Sequence, residues 1–164
     1  MTSDKSMNID PYEKNWMRIS IGLLIGFAVA IAIAGFAFGF QVPSPEQKVD
    51  PNTVATDPNS PWSQPGLREL APGKYEAYIL AQTWQFTPRE MSIPKGSTVT
   101  FYVTSKDVQH GFKIQNTNMN VQIVPGQVSK LKITFDEPGR YNYVCSEFCG
   151  AAHAAMFGTL IVEP

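Results

Sequence analysis

The sequence predicts an all-β sandwich or barrel carried on a single membrane-spanning helix. Three observations carry that reading. One uncharged apolar run near the N-terminus is long enough to cross a bilayer. Short alternating stretches separated by Pro-Gly turns fill the C-terminal part. No long amphipathic helical period interrupts them. The chain has 164 residues, room for one compact domain plus an appendage. Its 13 basic and 14 acidic residues give a net charge of −1, which gives no argument for nucleic acid, a ligand that needs a basic surface. Two cysteines are too few for a disulfide scaffold.

Residues 1–18 form a short N-terminal segment with Lys5, Lys14 and Arg18. Residues 19–40, "ISIGLLIGFAVAIAIAGFAFGF", run without a charge, and Ser20 is their one polar side chain. At 1.5 Å per residue such a helix is about 33 Å long, enough for a bilayer core. A buried soluble helix would show a polar stripe, and the apolar part of a cleaved signal is usually about 7–15 residues. The basic residues precede the span, and Glu46, Asp50 and Asp57 follow it. The positive-inside rule therefore places the N-terminus in the cytoplasm and the C-terminal domain on the periplasmic or extracellular side of a plasma membrane. Residues 41–73 hold seven of the 13 prolines and read as a semi-extended linker.

From Lys74 to Pro164 the chain reads as strands. They are 75–86, 90–93, 97–105, 119–124, 128–135, 140–145 and 158–164. Turns at Pro94-Lys95-Gly96, Pro125-Gly126 and Pro138-Gly139 separate them.

The chemistry lies in "VCSEFCGAAHAAM", residues 144–156. Cys145, Cys149 and His153 are spaced by four, and Met156 follows by three. The other histidine, His110, stands far upstream in "DVQHGF", at the end of a strand. Several sites are open to this set. A Cys145–Cys149 disulfide uses neither His153 nor Met156. A zinc site of two cysteines and two histidines has no use for the thioether. A mononuclear blue-copper loop takes one thiolate, His and a weak axial Met, and leaves Cys145 surplus. Two thiolates bridging two copper ions employ every residue, with one imidazole per ion and Met156 and a backbone carbonyl as weak outer ligands. In such a site an added electron is shared over two metals and two sulfurs, so bond lengths and solvent polarisation change little.

The C-x3-C-x3-H-x2-M loop, the upstream "DVQHGF" and the single anchor helix resemble subunit II of the heme-copper cytochrome c oxidases. "SKDVQHGFKIQNTNMNVQIVPGQ" and "YNYVCSEFCGAAHAAMFGTLIVEP" are similar to the shorter, single-helix members. The resemblance spans essentially the whole chain and implies a cupredoxin-like Greek-key sandwich over 74–164 with a binuclear CuA copper centre. It implies His110, Cys145, Cys149, His153 and Met156 as ligands, with Glu147 contributing its backbone carbonyl. The Glu147 side chain binds magnesium in some members. The implied activity is enzymatic only as a subunit of cytochrome c oxidase. Electrons come from cytochrome c or a similar small redox donor and pass to heme in subunit I, where oxygen is reduced to water and protons are translocated. The implied partners are that donor, subunit I and the lipid bilayer. Many members carry Pro-Gly-Arg where this chain has Pro125-Gly126-Gln127, and an aromatic residue where it has Gln82. Trp84 and Phe86 read either as electron entry near the copper or as sandwich core.

Overall fold

The computed structural model describes residues 9–39 and 45–164, which fall in two compact units divided after Phe40. The first unit is one helix, α1 (Pro11–Phe38). It begins eight residues before the expected span because "DPYEK" is itself a helix start. The Asp10 side chain accepts a hydrogen bond from the Tyr12 N–H (2.8 Å), and Pro11 stands where a missing N–H costs nothing. Gly39 ends the helix in the left-handed conformation, φ 60°. Leu, Ile and Phe side chains lie exposed along it, and by length and composition it can cross a membrane.

The second unit is a two-sheet sandwich, as the strand pattern predicts and as the family resemblance implies in cupredoxin-like form. The first sheet contains β1 (Pro45–Lys48), β2 (Gly66–Ala71), β3 (Lys74–Gln82), β4 (Gln85–Thr87), β6 (Ser97–Ser105) and β9 (Gln127–Phe135). Its strand order is β1-β9-β6-β3-β2, with β4 paired to β3. The second sheet contains β5 (Glu90–Pro94), β7 (His110–Ile114), β8 (Asn120–Ile123), β10 (Gly139–Val144) and β11 (Phe157–Glu163), in the order β5-β11-β10-β7-β8. β3 and β6 pair in parallel, as do β5 and β11. Alternation decides which side chains face inward. In β5 Met91 and Ile93 are buried between outward Glu90 and Ser92, and in β6 Val99, Phe101 and Val103 point into the core. The rings of Phe86, Phe101, Phe112, Phe135 and Tyr143 meet edge-on or tilted between the sheets.

Three expectations change. The stretch 75–86 is two strands folded back at Thr83–Trp84, not one. His110 opens its own strand, β7, instead of closing an earlier one. Within 41–73, residues 41–44 lie outside the described residues, but 45–71 are part of the domain and not an arm. β1 pairs with β9 and β2 with β3. Between them Trp62 is buried with Val54, Leu80 and Val128 on the outer face of the first sheet. Its indole N–H donates to the Tyr102 carbonyl (3.2 Å), and its ring meets Tyr78 edge-on. The prolines sit where they remove no central ladder bond: Pro45 opens an edge strand, and Pro61 opens a single 3-10 turn, Pro61–Ser63.

Candidate metal centre

Three segments meet at one end of the sandwich. β10 runs antiparallel to both β7 and β11. Its register, Tyr143 opposite Ile114 and Val144 opposite Lys113, brings the start of β7 beside the chain leaving β10. That chain is the loop 145–156, which closes when the Cys145 N–H donates to the Met156 carbonyl (3.1 Å). The 3-10 turn His153–Ala155 carries His153 back over it. The third segment is the turn between β3 and β4, with Trp84 at its tip.

The six expected ligands converge. The Cys145 and Cys149 sulfurs are buried free thiols 3.7 Å apart. His110 Nδ1 lies 3.8 Å from Cys145 Sγ, and His153 Nδ1 lies 3.6 Å from Cys149 Sγ. The buried Met156 Sδ is 3.7 Å from Cys149 Sγ. The carbonyl of Glu147 faces inward, 3.1 Å from Cys145 Sγ. The ligand atoms of His110, Cys145 and Cys149 all lie within 4.8 Å of one another.

Two residues with ambiguous readings separate. Phe86 is core, edge-on to Phe112 and Tyr143. Trp84 is half exposed, and its indole N–H donates to the Cys149 carbonyl (3.1 Å).

The separations pass a test of fit. A disulfide needs its sulfurs about 2.05 Å apart. Two thiolates bound at about 2.3 Å to one tetrahedral ion stand roughly 3.7–3.8 Å apart, which is the separation found here. Burial pushes the Cys149 thiol up to about 11, with the Cys145 sulfur adding to the effect. A cation held between the two sulfurs would favour their thiolate forms. The donors are two thiolates, two imidazole nitrogens and a thioether. That set is soft and suits copper, and it exceeds what a four-coordinate zinc site takes.

The supporting residues were not assigned from the sequence. Gly111 admits the loop: a Cβ there would lie 2.8 Å from the backbone nitrogens of both Ser146 and Glu147 and would collide with the Ser146 side chain. Ser146 is held from the far side by Asn120 (2.8 Å). Gly150, at φ 119°, lies under the Trp84 indole, where a Cβ would come within 3.0 Å of its nitrogen. Asp107 sits in the quoted "DVQHGF" and bonds His110 Nε2 (2.9 Å). Burial works against its ionisation, but hydrogen bonds from His110, Thr83 and Val108 outweigh that and hold its carboxyl down to about 2. An acid three residues before a histidine is the signal that was available.

Residues 76–163 match the family model described as cytochrome c oxidase subunit II, periplasmic domain. Cytochrome c oxidase subunit 2 of Thermus thermophilus is 36% identical over 156 residues, which is 93% of this chain and 92% of that one. A solved heme-copper terminal oxidase dimer contains a chain that superposes with a TM-score of 0.75 at 37% identity, covering 93% of this chain and 99% of that chain. The periplasmic domain of subunit II of the Bradyrhizobium japonicum cytochrome oxidase, 21% identical, shares the fold with a TM-score of 0.50, over 54% of this chain and 83% of its own.

Proposed function

The chain belongs to the cytochrome c oxidase subunit II family, and from that premise we propose that it is the electron-entry subunit of a membrane-anchored heme-copper oxidase. In this reading it takes electrons from cytochrome c or a similar small donor and hands them to heme in subunit I, which reduces oxygen to water and translocates protons. The observation that carries the proposal is the paired arrangement of the sulfurs. Each of two buried sulfurs 3.7 Å apart has its own imidazole nitrogen, at 3.8 and 3.6 Å.

A binuclear copper centre supplies one-electron exchange with little change of bond length, and the chain's residues make that exchange fast. Cys145, Cys149, His110 and His153 would hold it, with Met156 and the Glu147 carbonyl as weaker donors. The strands on either side fix all of these atoms in advance, so little must rearrange when charge changes. Burial of both sulfurs excludes water from the bridge. The Glu147 carbonyl points inward, which leaves its carboxylate available to magnesium at the interface with subunit I.

Electron entry follows from what touches the ligands at the surface. Phe148 is 82% exposed, and its ring lies 5.9 Å from the His153 ring. Trp84 reaches the Cys149 carbonyl directly. Val108 and Phe157 are exposed as well. An apolar donor face fits this rim. The N-terminus faces the cytoplasm, and subunit I packs against the helix, where Gly22 and Gly26 leave a shallow groove with Leu23, Phe27 and Ala30.

Metal analysis of the purified chain tests the proposal. Two copper ions per chain are expected, with a paramagnetic signal whose hyperfine splitting reports one electron over two copper nuclei. One copper, or zinc, overturns the binuclear reading.

A further inference from the structure

His110 and His153 are not equivalent. Both present Nδ1 to a cysteine sulfur. His153 is half-buried, and among the described residues its other ring nitrogen meets no carboxylate. His110 is fully buried, and its Nε2 rests on Asp107 Oδ1 at 2.9 Å. Asp107 is in turn ringed by donors. Oδ1 also accepts from the Val108 N–H (2.7 Å), and Oδ2 accepts from the Thr83 N–H (2.6 Å) and the Thr83 hydroxyl (2.9 Å). A side chain facing this many donors must be all acceptor, and only an ionised carboxylate is.

We infer that Asp107 is the positioning residue of the centre: it holds the proton of His110 on Nε2, turns the Nδ1 lone pair toward Cys145, and ties that imidazole through Thr83 to the turn that carries Trp84. An acceptor-only partner at Nε2 admits one neutral tautomer, the one whose free nitrogen faces the sulfurs. A carboxylate behind an imidazole also raises its basicity as a ligand. The two Thr83 bonds fix the carboxylate, and Trp84, the next residue, bonds the Cys149 carbonyl. The turn between β3 and β4 thus grips the site on both sides, through His110 and through Cys149. Among the described residues His153 has no such backing, so the two halves of the centre differ in stiffness and in ligand strength.

The test compares wild type with Asp107→Asn in the full chain in detergent. Asparagine presents an N–H to one of these donor pairs, so the imidazole loses its single acceptor-only partner. Two readouts are taken. In the metal-free chain, nitrogen-15 NMR of the histidines should show His110 as the pure Nε2–H tautomer in wild type and as a mixture in the variant, with His153 unchanged. In competition against a copper(I) chelator, the variant should bind about 10–100-fold more weakly, the range usual for loss of a ligand's hydrogen-bond partner. An unchanged tautomer together with unchanged affinity overturns the inference. Where Asp107→Asn does not fold, the wild type decides: a metal-free His110 that is not the Nε2–H tautomer overturns the inference. The affinity arm rests on the copper reading and the tautomer arm does not. Wild type that takes up zinc or one copper while showing the locked His110 tautomer fails the proposed function and leaves this inference standing.

Discussion

A methyl group on Gly111 would sit 2.8 Å from two backbone nitrogens of the loop that carries the cysteines. Backbone cannot swing aside as a long side chain can, so Gly111→Ala must push residues 146–147 outward and open the pocket around Cys145. The expected cost is about 1–3 kcal/mol of stability, the usual range for overpacking, together with lower copper occupancy. Thermal unfolding and metal analysis check both. Met156 is the opposite case. Its thioether is buried and sits 3.7 Å from Cys149 Sγ, but a thioether is a weak donor and Leu has nearly its volume. Met156→Leu should keep both copper ions and shift the reduction potential and the distribution of spin. Voltammetry and paramagnetic resonance read this, and complete loss of copper would refute the weak-ligand assignment. The proposed ligands could be picked out because cysteine and histidine are scarce in this chain and cluster at fixed spacings. Around them only Asp107 left a signal, an acid three residues before His110; Thr83 and Gly111 are common residue types whose places show only once the turn between β3 and β4 and the cysteine loop meet β7.

Among the elements, those with a clean period of two could be read in advance, β5, β6 and β9 to within about a residue. The misses have separate causes. β1 and β2 lie in a proline-rich stretch, and proline argues against a strand only where its N–H would be needed. At a sheet edge it is not, so 45–71 packs as part of the domain while its composition reads as linker. The break at Thr83–Trp84 was hidden because a reversal inside an aromatic run leaves alternation almost intact on both sides. The packing of 45–71 makes its own prediction. Trp62 is buried with Val54, Leu80 and Val128, and its indole bonds Tyr102 of β6, away from the cysteine loop. Trp62→Ala should lower stability by about 3–5 kcal/mol, as for other buried large-to-small changes. The copper spectrum of the folded fraction should stay as in wild type. A spectrum that changes in step with stability would mean that this outer cluster also shapes the site.

At the scale of the whole molecule, charge and exposed apolar surface point to one mode of encounter with the electron donor. Net charge is −1 over 164 residues, so no strong field surrounds the chain. The site's rim carries Phe148, Trp84, Val108 and Phe157, all exposed. Arg89 lies over the Phe157 ring at 5.2 Å, its charge set against the aromatic face. Steering by opposite charge raises association rates about 10–10³-fold and is lost as salt screens it. An encounter driven by apolar contact lacks that dependence. The rate of reduction by the donor is therefore expected to change by less than about threefold between about 0.02 and 0.5 M salt, where screening shortens from tens of ångströms to a few. Phe148→Ala should slow it at every salt concentration, because the ring is both the most exposed part of the rim and the neighbour of His153. Stopped-flow reduction of the native complex measures both. A steep fall with ionic strength in wild type, with Phe148→Ala indistinguishable from it, would instead put the docking surface on charged residues away from the copper loop.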